Sequence, residues 1–123
     1  MAPRPTVKNF VHYALTPYPT DLEVDVAADA LVIPVTHPMV NKTTGGDAEA
    51  LTLANGIPGQ CLSVRLGTDG GGDGTLTPAT STGWATIVFA DAGDTAELYY
   101  VNDTIGWKID SLFGVAGPPA MTV

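Results

Sequence analysis

Cys61-Leu62-Ser63-Val64-Arg65-Leu66 alternates aliphatic and other side chains with a period of two, and the Gly-rich run Gly67 to Gly74 ends it. Successive side chains of an extended chain point to opposite faces, so Leu62, Val64 and Leu66 share one face. Cys61, Ser63 and Arg65 make the other. This is the pattern of a half-buried strand bounded by a turn. Downstream, Thr75-Leu76-Thr77 and the apolar, β-branched run Trp84 to Ala90 read the same way, and Asp91-Ala92-Gly93-Asp94 closes the latter as a turn. Thr95 to Val101 and Ile105 to Ile109 form a hairpin around Asn102-Asp103, with Ile105, Trp107 and Ile109 on one face. Upstream, Asn55-Gly56-Ile57-Pro58-Gly59 is a turn preceded by the alternating Glu49-Ala50-Leu51-Thr52-Leu53, and before that comes Met39 to Thr44. Ala30 to Val35 reads as a buried strand whose Pro34 points to a sheet edge or a bulge. Short strands at roughly ten-residue spacing, with Gly, Asn and Asp turns and no helical period between them, predict an all-β fold. The expected architecture is an antiparallel β-sandwich or barrel-like domain over residues 30–116, with a C-terminal tail at 117–123.

The first 29 residues differ in texture. Pro3, Pro5, Pro17 and Pro19 fall within the first 20, which excludes a long helix and removes sheet donors. An extended Pro-rich N-terminal arm over residues 1–29 is expected, with a short helix over Val7 to Leu15 as its one regular option. Phe10, Tyr13 and Tyr18 on this arm need a surface to pack against. At its end Asp21-Leu22-Glu23-Val24-Asp25-Val26 alternates acids with aliphatics, the mark of a half-buried strand. Its acidic row reads as a solvated face, beside the alternative of a metal or a basic partner.

The chain is 123 residues long and 12.7 kDa, the size of one domain. Five Lys and Arg against thirteen Asp and Glu give a net charge of −8. Phosphate backbones and anionic lipid surfaces would repel it, so neither nucleic acid nor membrane is expected as a partner. Cys61 is the one cysteine, too few for an intrachain disulfide or a Cys-based zinc cluster. Met1-Ala2-Pro3-Arg4-Pro5 opens onto no apolar stretch of signal-peptide length, and no run approaches a membrane span. A soluble protein without an export signal is expected.

Signs of catalytic chemistry are sparse. Thr68-Asp69-Gly70-Gly71-Gly72-Asp73-Gly74 lacks the Gly-Lys-Ser/Thr of a phosphate loop and the terminal Glu of an EF-hand. A looser Ca²⁺ turn on Asp69 and Asp73 remains as a chemical reading beside the plainer one, a mobile hairpin loop. Cys61 as a nucleophile needs a base, which only His12 or His37 offers, and a small packed thiol is the ordinary expectation for a cysteine beside Leu62. Tyr99, Tyr100 and Trp107 suit a glycan-stacking surface, but alternation assigns Trp107 and Tyr100 to packing between strands. No enzyme activity, cofactor or metal is expected.

The stretch from Val35 to Trp107 resembles a β module of small virion proteins of tailed bacteriophages. The likeness runs through Val35-Thr36-His37-Pro38, Leu51-Thr52-Leu53 with Asn55-Gly56, Gly59-Gln60, Asp69-Gly70-Gly71-Gly72-Asp73 and Leu76-Thr77-Pro78-Ala79. It continues through Thr82-Gly83, Thr86-Ile87-Val88-Phe89, Ala92-Gly93-Asp94, Leu98 and Gly106-Trp107. Capsid decoration (cement) proteins and modules of head fibres and tail appendages, commonly trimeric, are what it looks like. The resemblance implies a structural protein of the outer capsid surface, made in the host cytoplasm, that binds the major capsid protein as a homotrimer and stabilises the head. On that reading the arm reaches over capsid subunits, with Phe10, Tyr13 and Tyr18 as anchors and Arg4 and Lys8 meeting carboxylates. The alternative is a receptor- or glycan-binding module of a fibre or tail that uses the Gly67 to Gly74 loop and Tyr99.

Overall fold

The structure, a computed structural model, describes residues 22–123. These residues form ten strands: β1 (Glu23–Val26), β2 (Val32–Ile33), β3 (Met39–Thr43), β4 (Glu49–Leu53), β5 (Cys61–Thr68), β6 (Gly74–Pro78), β7 (Thr86–Phe89), β8 (Thr95–Tyr100), β9 (Trp107–Phe113) and β10 (Ala120–Thr122). They make two five-stranded sheets, ordered β1-β3-β5-β8-β9 and β2-β4-β6-β7-β10. No helix occurs among the described residues. The fold is all-β.

The connections explain the pairing. After each of β1 to β5 the chain crosses to the opposite sheet, so every second strand returns beside its predecessor in the same direction. Glu23 therefore lies opposite Met39, Met39 opposite Ser63, Val32 opposite Thr52 and Glu49 opposite Gly74, all in parallel register. The first six strands are three coils of a flattened solenoid. The β6–β7 and β8–β9 hairpins then reverse the direction, and the crossings after β7 and β9 lay β8 antiparallel beside β5 and β10 antiparallel beside β7. The antiparallel pairing expected throughout is thus confined to the pairs that involve β7 to β10. The Gly-rich turns after β3 and β5, which resemble hairpin loops in sequence, carry the chain between sheets instead.

Sequence period and burial agree strand by strand. Leu62, Val64 and Leu66 point inward from β5 at no more than 1% exposure, and Leu51 and Leu53 do the same from β4. Leu51 and Leu53, with Leu76, Ile87 and Phe89 of the same sheet, meet the β5 side chains of the facing sheet in one continuous core. Each such side chain contributes about 1.5–3 kcal/mol by leaving water. β2 is an edge strand, as Pro34 indicates, but it has only two residues and Val32 is 66% exposed. Glu23 and Asp25 are exposed on edge strand β1, while Asp21 lies outside the described residues. β1 and β10 flank the 30–116 span at either end, and each is the outer strand of a sheet.

Two devices hold the crossings together. Lys42 on β3 and Glu49 on β4 are buried between the sheets as an ion pair of 2.7 Å. Lys42 Nζ also donates to the carbonyls of Ala27 (2.8 Å) and Ala30 (2.6 Å), which belong to the crossing after β1. The run expected to be a mobile hairpin loop, Gly67 to Gly74, is packed against the crossing before it. Gly72 N–H donates to Gly45 O (2.9 Å), Gly70 N–H to Thr44 Oγ1 (3.2 Å) and Glu49 N–H to Asp73 O (2.8 Å). A Cβ on Gly72 would lie 1.9 Å from Asp47 O, so the glycine is required by backbone contact.

Candidate functional site

At one end of the first sheet β3, β5 and β9 begin and β8 finishes. Two segments cover this end, Val35 to Pro38 before β3 and the turn from Asn55 to Gln60 before β5. Between them lies a groove of about 580 Å³ that reaches His37, Ile57 and Cys61. A second hollow of about 510 Å³ shares Pro38, Gly59 and Cys61 with it and extends across the outer face of the sheet to Glu97, Tyr99 and Asp110. Together they form one concave, largely apolar surface with a carboxylate margin.

Its walls are fixed from beneath. Trp107, fully buried, donates from Nε1 to Ala54 O at 2.9 Å. The Tyr100 ring meets it edge-on, with centroids 5.1 Å apart, an arrangement favoured by the ring quadrupoles. Tyr100 O–H donates to Asp103 at 2.5 Å. Burial, followed by this carboxylate, pushes the Tyr100 phenol up to about 12. Gln60 binds the two covering segments to each other. Its Nε2 donates to Val35 O (2.8 Å), while its Oε1 accepts from Ile57 N–H (3.0 Å). Gly56 packs directly on Gln60 and Trp107, where a Cβ would fall 2.5 Å and 2.9 Å from their side-chain atoms. The turn is locked, and it presents Ile57 at 67% exposure on the lip of the groove.

Cys61 is exposed, contrary to the packed thiol expected of it. Its strand period decides this: Leu62 and Leu98 point inward, so their neighbours Cys61 and Tyr99, paired across β5 and β8, point outward. The Cys61 thiol has a 4.0 Å contact with Gly59 O, and His37, on the same groove, places Nδ1 2.9 Å from Thr36 Oγ1. Neither contact is a nucleophile–base hydrogen bond. Asp69 Oδ1 accepts Gly71 N–H at 2.8 Å, a local turn, and no group of three or more metal-ligating side chains occurs among the described residues. Tyr100 and Trp107 belong to the core, and Tyr99 is left as the exposed aromatic of that trio.

Arg4, Lys8, Phe10, Tyr13 and Tyr18, the residues expected to contact a capsid, lie outside the described residues. The groove itself was not anticipated. Its walls come from two stretches some 20 residues apart in sequence, and no spacing rule joins them. Gly56 and Gln60 were its available signs: a glycine and an amide inside a turn, each committed to a contact. No family model, curated protein or solved structure matches the chain.

Proposed function

We propose that this chain is a structural virion protein, a decoration protein that binds the major capsid protein on the outer surface of a phage head as a homotrimer and stabilises the particle. The role is mechanical and involves no chemical step. One observation carries it: the chain enters the described domain at the concave end. Met39 N–H donates to Leu22 O at 3.2 Å, beside Pro38, which lines both hollows. The residues that precede Leu22, Arg4, Lys8, Phe10, Tyr13 and Tyr18 among them, therefore join the two-sheet stack at a defined end. Three such arms on a symmetric trimer would multiply a weak single contact through effective concentration.

The test is sedimentation of purified capsids with the full chain and with a deletion of residues 1–20. Among the described residues the core and the side chains packed on it begin at Val24 and Val26, so the deletion leaves these in place. Cosedimentation of the full chain, increased heat resistance of the particles and loss of both on deletion is the expected result. Unchanged binding by the deletion overturns the arm's role, and no binding by the full chain overturns decoration. A second reading, glycan or receptor binding, rests on Tyr99, an exposed ring in a hollow that also holds Glu97 and Asp110. Such a ring can stack on a sugar face while carboxylates accept its hydroxyls. Glycan binding by particles that carry only a few copies at the tail would favour it.

A further inference from the structure

The concave end also fits a segment of this same chain. Residues 1–20 hold two of the five cations, Arg4 and Lys8, and none of the thirteen acids. All the acids fall in residues 21–123, which keep three cations. The hollow beside Cys61 has Glu97 and Asp110 on its margin and Pro38 and Tyr99 in its wall. Cationic, aromatic and proline side chains are what such a surface complements. The connection is also short. β5 and β8 stand two and three strands from β1, or about 10 and 14 Å at strand spacing. Tyr18 precedes Leu22 by four residues, a reach of about 13 Å. The cations, further back along the arm, reach the margin with length to spare.

We propose that, in the free protein, residues 1–20 dock in the concave surface of their own domain, with the aromatic side chains against Pro38 and Tyr99 and the cations against Glu97 and Asp110. Docking within one chain gains from a local concentration that a separate partner lacks. The inference is independent of the capsid reading. If that reading also holds, the arm exchanges its own groove for the capsid surface on assembly.

Cys61 is the sole cysteine and lies in both hollows, so its thiol reports occupancy. The measurement is the rate of Cys61 alkylation by N-ethylmaleimide, a neutral reagent, in the full chain. It is compared with R4E/K8E, with F10A/Y18A, and with the groove variant E97K/D110K. All these substitutions lie on the arm or at the surface, and circular dichroism checks that the fold is retained. A docked arm protects the thiol: each variant should react about tenfold faster than the parent, and protection should hold over about a hundredfold range of protein concentration. Equal rates in the parent and all three variants overturn the proposal. Protection that grows with protein concentration also overturns it, by assigning the groove to a second copy. Capsid sedimentation has no part in this readout, so the two proposals fail separately.

Discussion

Lys42 is a long cationic side chain buried between two sheets, and the ring of partners around its Nζ accounts for its tolerance there. The ammonium has one carboxylate oxygen of Glu49 and the carbonyls of Ala27 and Ala30. The other carboxylate oxygen accepts Gly45 N–H at 2.5 Å. Burial drives the Glu49 carboxyl upward, but Lys42 and the backbone N–H groups of Gly45 and Asp29 outweigh it and hold the group below its ordinary value of 4.5. Lys42→Met removes the cation and leaves a buried carboxylate alone, at a cost of about 3–5 kcal/mol. Lys42→Met with Glu49→Leu removes both charges and should recover most of that loss. The pH dependence has a definite sign. A carboxyl depressed in the fold contributes its stability above the unfolded pKa and loses it as pH falls through the folded one. Urea unfolding of the parent should therefore weaken as pH drops below 4.5, and the double variant should show a flatter acid limb. A double variant no more stable than Lys42→Met would show that the site needs its ion pair.

The crossings between sheets are the elements whose sequence and structure diverge most instructively. β4 and β5 were legible because Leu51, Leu53, Leu62, Val64 and Leu66 repeat with period two and each faces the core. The same period placed Cys61 on the outer face with Ser63 and Arg65, and it prevailed over the general tendency of cysteine to be buried. Parallel pairing was not legible, because a Gly-rich turn that crosses to the facing sheet has the composition of one that folds back along its neighbour. β10 was hidden for a different reason: Ala120, Met121 and Thr122 are all exposed, so no alternation marks them. Gly72→Ala tests the crossing directly. Its Cβ would meet the Asp47 backbone, which belongs to the neighbouring crossing and cannot yield alone. A loss of about 2–4 kcal/mol is expected, seen in calorimetry as a fall in Tm. Gly46→Ala is the control: its Cβ would have no neighbour nearer than 4.0 Å, and its Tm should hardly change. Equal effects at the two positions would mean that the crossings do not bear on each other.

At the scale of the molecule, the fold is a stack of five two-strand layers in which each strand has hydrogen-bonded neighbours only above and below it. Stability in such a stack is largely a sum of neighbouring contacts, and the end layers have a neighbour on one side only. The ends of the second sheet are also thin. β2 has two residues and β10 has three, whereas β5 has eight and lies between β3 and β8 with its inward leucines almost wholly excluded from water. Local opening should therefore begin at the ends and cost most in the middle. Amide hydrogen exchange should rank β5 and β8 slowest, with β4 and β6 close behind and β2 and β10 fastest. The second hollow lies mostly on the slow part of this gradient, because Cys61 and Tyr99 stand on β5 and β8, and Trp107 braces the turn beside them. A surface on the most protected strands would change little in shape on contact, so a partner docking there would lose little binding energy in ordering it. Uniform protection across all ten strands would instead make the domain a single cooperative unit, and the end layers would then be as firmly held as the centre.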